Sequence, residues 1–159
     1  MSDACEVTKT RYDSVSYTPY PQSVRLARRR VAERVVTWGH PELAGDAALV
    51  TSELGTNALL HGCLGDRLFR VEVRLDGRVL RIAVTDPRGE RLPQTRAPGV
   101  DERYGRGLVI VRTVAARWDV VPLTVGKTVW AELDVTQGPV GRSLPTGPWE
   151  SPGQPPIGT

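Results

Sequence analysis

The sequence feature that most constrains the fold is a row of polar residues within the apolar side of a predicted helix. At about 100° per residue, Glu53, Asn57 and His61 fall at i, i+4 and i+8 and share one face. Apolar residues flank this row: Ala47, Leu49, Val50, Leu54, Ala58 and Leu60. Buried polar groups are costly without partners, so the row needs either neighbouring backbone groups or a bound ion or ligand. For His61, a helix-ending role beside Gly62 is the alternative.

Two later motifs shift the interpretation towards a ligand. Asp86-Pro87-Arg88-Gly89 stands at the end of a predicted strand, and Gly105-Arg106-Gly107-Leu108 stands at the start of a predicted helix. Each motif alone is a weak signal. In this order, on a helix, a strand end and a helix start, the three segments indicate an ATP site.

Hydrophobic periodicity predicts the order β-α-α-β-β-loop-α-β-β. Helices are predicted from about Gln22 to Trp38, from about Glu42 to His61 with a break near Gly45, and from near Gly107 to about Arg117. Strands are predicted at 15–17, 68–75, 79–84, 118–123 and 128–135. This order predicts an α+β fold, with helices on one face of a mixed, mostly antiparallel sheet. Gly55 falls on the helix face opposite the polar row, where glycine costs up to about 1 kcal/mol relative to alanine.

The chain divides into three predicted parts. Residues 1–13 form a flexible N-terminus, residues 14–136 form one domain, and residues 137–159 form a disordered tail rich in proline and glycine. Within the domain, residues 88–104 carry prolines, glycines and charges, so they predict a long loop that acts as a nucleotide-ordered lid. A hydrophobic content of 40% in 159 residues is consistent with one packed core.

Charge and composition argue against nucleic-acid and membrane partners. The net charge of +3 is mild. Arg28, Arg29 and Arg30 point in three directions on a helix, which favours a solvated face over a nucleic-acid patch. No stretch has the apolar length of a membrane span, and the first residues lack a secretory signal, so a cytoplasmic location is expected. Cys5 and Cys63 are expected to be two free thiols, with a redox pair as the less favoured alternative.

The ordered motifs resemble those of the GHKL ATPase superfamily, which includes gyrase, Hsp90, histidine kinases and MutL. Glu53-Leu54-x-x-Asn57-Ala58-x-x-His61-Gly62 resembles its N box, and Asp86-x-x-Gly89 resembles its first glycine box. Gly105-Arg106-Gly107-Leu108 resembles the second glycine box, and residues 126–133 are similar to its closing strand. The resemblance implies a two-layer α/β sandwich of the GHKL (Bergerat) type.

The resemblance also implies roles for individual residues. Glu53 would be the catalytic base, and Asn57 would bind Mg²⁺, which prefers oxygen ligands shared with phosphates. Asp86 would accept a hydrogen bond from the adenine amino group, supported by Thr128. The remaining residues implied to bind the nucleotide are Gly89, Gly105, Arg106, Gly107 and Leu108. Lys127 and the arginines of the lid could touch phosphates, although solvated charge is favoured for each one. Pro87 and the single clear glycine depart from the fuller first box, which implies weaker ATP binding.

Within the superfamily, the short chain is expected to be a stand-alone catalytic domain, with neither a dimerisation-phosphoacceptor helix pair nor a transducer domain. It therefore resembles the anti-sigma factor kinases of the SpoIIAB/RsbW type, and its arginine-rich, lysine-poor composition suggests an actinobacterial source. The resemblance implies a serine/threonine kinase that uses ATP and Mg²⁺ to phosphorylate a STAS-type anti-anti-sigma protein. A sigma factor is the second implied partner, and a homodimer is an open expectation. The alternatives are a nucleotide-binding interaction module with little turnover and an orphan histidine-kinase catalytic domain.

Overall fold

The computed structural model describes residues 9–61, 67–86 and 108–135. Its elements are β1 (Arg11–Tyr17), α1 (Pro21–Thr37), a 3-10 turn (Pro41–Leu43), α2 (Ala44–His61), β2 (Phe69–Asp76), β3 (Val79–Asp86), α3 (helical residues 108–114), β4 (Arg117–Pro122) and β5 (Lys127–Asp134). The predicted α+β class is confirmed.

The five strands form one antiparallel sheet in the order β1-β2-β3-β5-β4. Gly77 closes the β2–β3 hairpin with a φ of 59°, and Gly126 lies in the β4–β5 turn with a φ of 86°. Both values lie in the left-handed region that glycine adopts without steric cost. These glycines allow each hairpin to reverse within a few residues, as the Asp76-Gly77 and Gly126 signals predict.

One face of the sheet forms the core together with the helices. Phe69, Val71, Val73 and Leu75 alternate along β2 on this buried face, which we call the inner face. The inner-face residues of β3 and β5 join the same core: Leu80, Ile82, Val84, Val129, Ala131 and Leu133. Buried residues of α1 and α2 complete it, so the helices lie on one side of the sheet.

The opposite, outer face of the sheet carries charged side chains. Arg117 donates to the carboxylates of Glu132 and Asp134, each at 2.7 Å. The guanidinium of Arg81 lies 4.2 Å from the ring centre of Trp130. This face therefore satisfies its charges within itself, as expected for a solvated face of an antiparallel sheet.

Helices α1 and α2 approach each other closely at Gly55. A Cβ atom added at Gly55 would lie 3.2 Å from Cγ1 and 3.3 Å from Cγ2 of Val24, which is buried on α1. The helical wheel placed Gly55 opposite the polar row, and the structure shows that this face is also buried, because it packs against α1. Leu60, by contrast, is 73% exposed.

Strand β1 is longer than predicted, because it begins at Arg11 and not near Val15. It therefore enters the segment 1–13 that was predicted to be flexible. Asp13 holds β1 against α1, since it accepts two hydrogen bonds from Arg30 at 2.8 and 2.9 Å. The hydrogen bond from Arg30 lowers the pKa of Asp13 below its ordinary value. Arg30 thus turns towards β1, whereas Arg28 and Arg29 stay exposed.

The remaining differences concern the ends of helices and strands, and some predicted features lie outside the described residues. The helical break falls between Leu43 and Ala44, and α3 ends at residue 114 because β4 already begins at Arg117. The predicted lid (88–104), the tail (137–159) and four site residues lie outside the described residues. These four residues are Gly89, Gly105, Arg106 and Gly107. Within the described part of the chain, no helix is long and apolar enough to cross a membrane.

Candidate functional site

Asn57 is a buried amide on α2 with unmet hydrogen-bonding capacity. Its side chain lies on the packed side of the helix, where the residue is 6% exposed. Within the described residues, neither Oδ1 nor Nδ2 makes a hydrogen bond. Thr51, on the same helix, is a buried polar residue with a partner, because its hydroxyl donates to the carbonyl oxygen of Ala47 at 2.7 Å. An unmet buried amide costs free energy unless a ligand satisfies it, so Asn57 marks a candidate binding site.

Asp86 and Lys127 form a second buried polar feature, at one end of the sheet. Asp86 is the last residue of β3 and pairs in register with Lys127, the first residue of β5. The carboxylate is 2% exposed, the lysine side chain is 12% exposed, and Nζ lies 4.0 Å from Oδ2. Asp86 continues the alternation of Leu80, Ile82 and Val84, so the pair faces inward, towards the helices.

Thr128 lies on the other side of the sheet from this pair. Its hydroxyl is 2.8 Å from the hydroxyl of Thr85, its register partner, and both residues belong to the outer face. The structure therefore does not bring Thr128 together with Asp86, although the resemblance implies that they act together. Lys127 occupies the inward position, and the sequence already contained this signal. Counting by two from Leu133 through Ala131 and Val129 leads to Lys127 and not to Thr128.

The other predicted site residues take different positions. Glu53 is half-buried on α2, one turn before Asn57, so the two side chains share a helix face. Leu108, at the start of the described part of α3, is a core residue at 6% exposure. His61 is the last residue of α2. The structure thus places Glu53 and Asn57 on one helix face, Asp86 on the inner face of the sheet beneath α2, and Leu108 in the core.

Chain connectivity links the helix and sheet parts of the site. Residues 62–68 join the end of α2 to Phe69, and β2 starts at the end of the sheet where β3 finishes, since Arg70 pairs with Thr85. Asn57 stands one turn before that helix end. Helix α2 also packs over β3 and β5, the strands that carry Asp86 and Lys127.

The donor set suits a magnesium nucleotide better than a metal held by protein alone. Within the described residues, no group of three or more His, Cys, Asp or Glu side chains could hold a metal ion. Mg²⁺ commonly takes one or two protein oxygens and completes its shell with phosphates and water. The Asn57 oxygen supplies one such ligand, and the buried Asp86 carboxylate can accept a hydrogen bond from an amino group of a base.

A separate cleft is lined by residues of both long helices. It has a volume of about 530 Å³ and lies between α1 and the start of α2. Three arginines line it (Arg25, Arg28 and Arg29), with small residues at its base (Ala32, Ala44, Gly45 and Ala48). None of the residues of the candidate site belongs to this cleft.

Helices lie over an antiparallel sheet, with a buried carboxylate at a strand end and a buried amide on the covering helix, an arrangement that is able to bind a nucleotide. The chain matches the family model of the histidine kinase-like ATPase domain over residues 17–133, most of its length. It therefore belongs to the histidine kinase-like ATPase domain family, whose members bind ATP and act as ATP-dependent kinases or ATPases. The predicted GHKL membership is confirmed.

Comparison with solved structures gives a related result. The chain is similar to the histidine kinase domain from Erythrobacter litoralis EL346 blue-light activated histidine kinase, with 21% identity and a TM-score of 0.46. The match covers 72% of this chain and 62% of that chain, so this chain spans less than two thirds of the length of that domain. No curated protein matches the chain.

Proposed function

We propose that this protein is a serine/threonine kinase that transfers the γ-phosphate of ATP to a STAS-type anti-anti-sigma protein. It also binds a sigma factor when that antagonist does not hold it. Family membership supports ATP as the phosphate donor. The serine/threonine specificity and the two partners are the further steps of the proposal, taken from the resemblance to anti-sigma factor kinases.

The observation that carries the proposal is the Glu53–Asn57 pair on α2. Asn57 is a buried amide whose two polar atoms have no hydrogen-bond partner among the described residues. Its oxygen fits Mg²⁺, which would be held by Asn57 together with phosphate oxygens. When bound, Mg²⁺ neutralises the charge that develops on the phosphates. Glu53, one helical turn earlier, lies on the same face and is a half-buried residue, so it is open to an incoming hydroxyl.

The proposed transfer uses these two side chains. The hydroxyl oxygen of the partner attacks the γ-phosphorus, a new oxygen–phosphorus bond forms, and the bond to the β–γ bridging oxygen breaks. Glu53 accepts the hydroxyl proton, and ADP leaves. Most of the catalysis of phosphoryl transfer comes from positioning and electrostatic stabilisation, so a single base and a well-held nucleotide suffice.

The test uses the full chain, Mg-ATP labelled at the γ-phosphate, and a purified STAS-domain protein. Glu53→Gln is nearly isosteric and should keep ATP binding while it lowers the transfer rate by roughly 10²–10⁴-fold, as expected for a general base. Arg28→Gln, on the separate cleft, is the control for expression and handling. Transfer by Glu53→Gln at the wild-type rate would remove Glu53 as the base.

The same assay separates the alternative functions. ATP binding without phosphate transfer would indicate a nucleotide-binding interaction module, which the reduced Asp86-Pro87 motif favours. Acid-labile phosphohistidine on a partner would indicate a histidine-kinase catalytic domain that acts in trans. Phosphoserine or phosphothreonine on the STAS-type partner is the result that the proposal expects.

A further inference from the structure

Solvated charge was the favoured expectation for Lys127, and that expectation is wrong because the side chain is largely buried. Lys127 is one of only two lysines in the chain, which otherwise uses arginine for its basic side chains. Its side chain lies on the inner face of the sheet and is 12% exposed, beside a carboxylate that is 2% exposed. Burial of an ammonium group is costly, so its position calls for a physical explanation.

The ion pair between Lys127 and Asp86 is not a direct hydrogen bond. The Nζ–Oδ2 distance is 4.0 Å, whereas a direct charge-assisted hydrogen bond measures about 2.7–2.9 Å. The two groups therefore stand side by side on adjacent strands. The lysine ammonium has three donors and no acceptor, and the carboxylate has only acceptors. The pair thus places a donor-bearing group and an acceptor-bearing group next to each other at this end of the sheet.

The adenine ring offers the complementary pattern. Its exocyclic amino group is a donor, and the ring nitrogens N1 and N7 on either side of that group are acceptors. If Asp86 accepts from the amino group, then a donor next to Asp86 faces a ring nitrogen. We propose that Lys127 is a base-recognition residue that donates a hydrogen bond to a ring nitrogen beside the adenine amino group. This inference rests on the proposed ATP binding and adds a specificity-determining residue to that site.

The competing explanation is that Lys127 only balances the charge of Asp86. Both explanations expect a change in ATP affinity when Lys127 is replaced, so affinity alone does not separate them. The two explanations predict different affinities for nucleotides that lack one ring nitrogen. A charge-balancing lysine is indifferent to the loss of N1 or N7, whereas a donating lysine loses its acceptor.

The experiment is therefore a double comparison by calorimetry. Wild type and Lys127→Met are titrated with ATP, 1-deaza-ATP and 7-deaza-ATP in the presence of Mg²⁺. Wild type should bind one of the two deaza nucleotides about tenfold more weakly than ATP, the effect expected for one hydrogen bond to a charged group. In Lys127→Met the ratio between ATP and that analogue should fall to about one. Lys9→Met, at the other lysine, which is exposed, should keep the wild-type ratio.

The outcomes distinguish failure of the Lys127 proposal from failure of the proposed function. Equal binding of all three nucleotides by wild type, or an unchanged ratio in Lys127→Met, would overturn the role of Lys127 and leave the proposed function standing. Absence of ATP binding by wild type would overturn the proposed function, and the role of Lys127 would fall with it. Circular dichroism checks that the variants fold. Lys127→Val, whose β-branched side chain suits a strand, provides the same comparison if the methionine variant does not fold.

Discussion

Asn57 combines deep burial with two polar atoms that make no hydrogen bond among the described residues. A residue kept for stability would be satisfied or replaced, because an unmet buried amide is unfavourable. Thr51 is buried six positions earlier on the same helix and is satisfied by the backbone. The contrast between the two residues suggests that Asn57 costs stability in the ligand-free protein and recovers it when a ligand binds.

This interpretation predicts opposite effects on stability and binding. Asn57→Leu replaces the amide by an apolar side chain and should raise the free energy of unfolding of the ligand-free protein by about 1 kcal/mol. The same change should abolish Mg²⁺-dependent nucleotide binding. Urea unfolding with and without Mg-ATP measures both effects. Thr51→Val, which removes a satisfied hydroxyl, is the control and should give no gain in stability. A destabilised Asn57→Leu variant that still binds Mg-ATP would mean that Asn57 has a structural role only.

At the scale of elements, the contact between α1 and α2 depends on the missing side chain of Gly55. Alanine at this position would gain up to about 1 kcal/mol of helix propensity, but its Cβ would lie 3.2 Å from Val24. Valine is stiff at χ1, so Val24 cannot turn away easily. The steric cost should therefore exceed the gain.

We expect Gly55→Ala to lower the free energy of unfolding by about 1 kcal/mol, the lower range for overpacking a core. In a Val24→Ala background the crowding atoms are absent, so the same glycine-to-alanine change should stabilise the helix. Chemical denaturation of the four proteins of this cycle measures the sign directly. A stabilising effect of Gly55→Ala in the wild-type background would show that the helices can separate at little cost.

Across the whole molecule, the structural features that depend on local sequence pattern could be predicted from the sequence. The β2–β3 and β4–β5 hairpins follow from period-two alternation and from the turn glycines Gly77 and Gly126, and the two long helices follow from apolar spacing. The extent of β1 could not be predicted, because Arg11 to Ser14 are polar. Their strand conformation depends on pairing with β2 and on the Asp13–Arg30 hydrogen bonds, which join residues distant in sequence.

Some features of the candidate site could also be predicted from the sequence, and others could not. The burial of Asn57 and Asp86 follows from helical and strand periodicity, and both side chains lie where those periods predict. The inward face of Gly55 could not be predicted, because a helical wheel does not show which neighbour covers each side. The inward position of Lys127 could be predicted from alternation along β5, whereas the resemblance to the family motif implied Thr128 as the partner of Asp86. The two kinds of evidence indicate different residues, and the structure places Lys127 beside Asp86.

We propose that the inner-face end of β3 and β5, beneath α2, binds the adenine nucleotide. A calorimetric titration of Mg-ATP into wild type, Asp86→Asn and Arg28→Ala tests this proposal. We expect one saturable site in wild type and unchanged binding in Arg28→Ala. Binding to Asp86→Asn should be at least about tenfold weaker, the scale of one charge-assisted hydrogen bond. Equal affinity of wild type and Asp86→Asn, or loss of binding in Arg28→Ala, would mean that the nucleotide binds elsewhere.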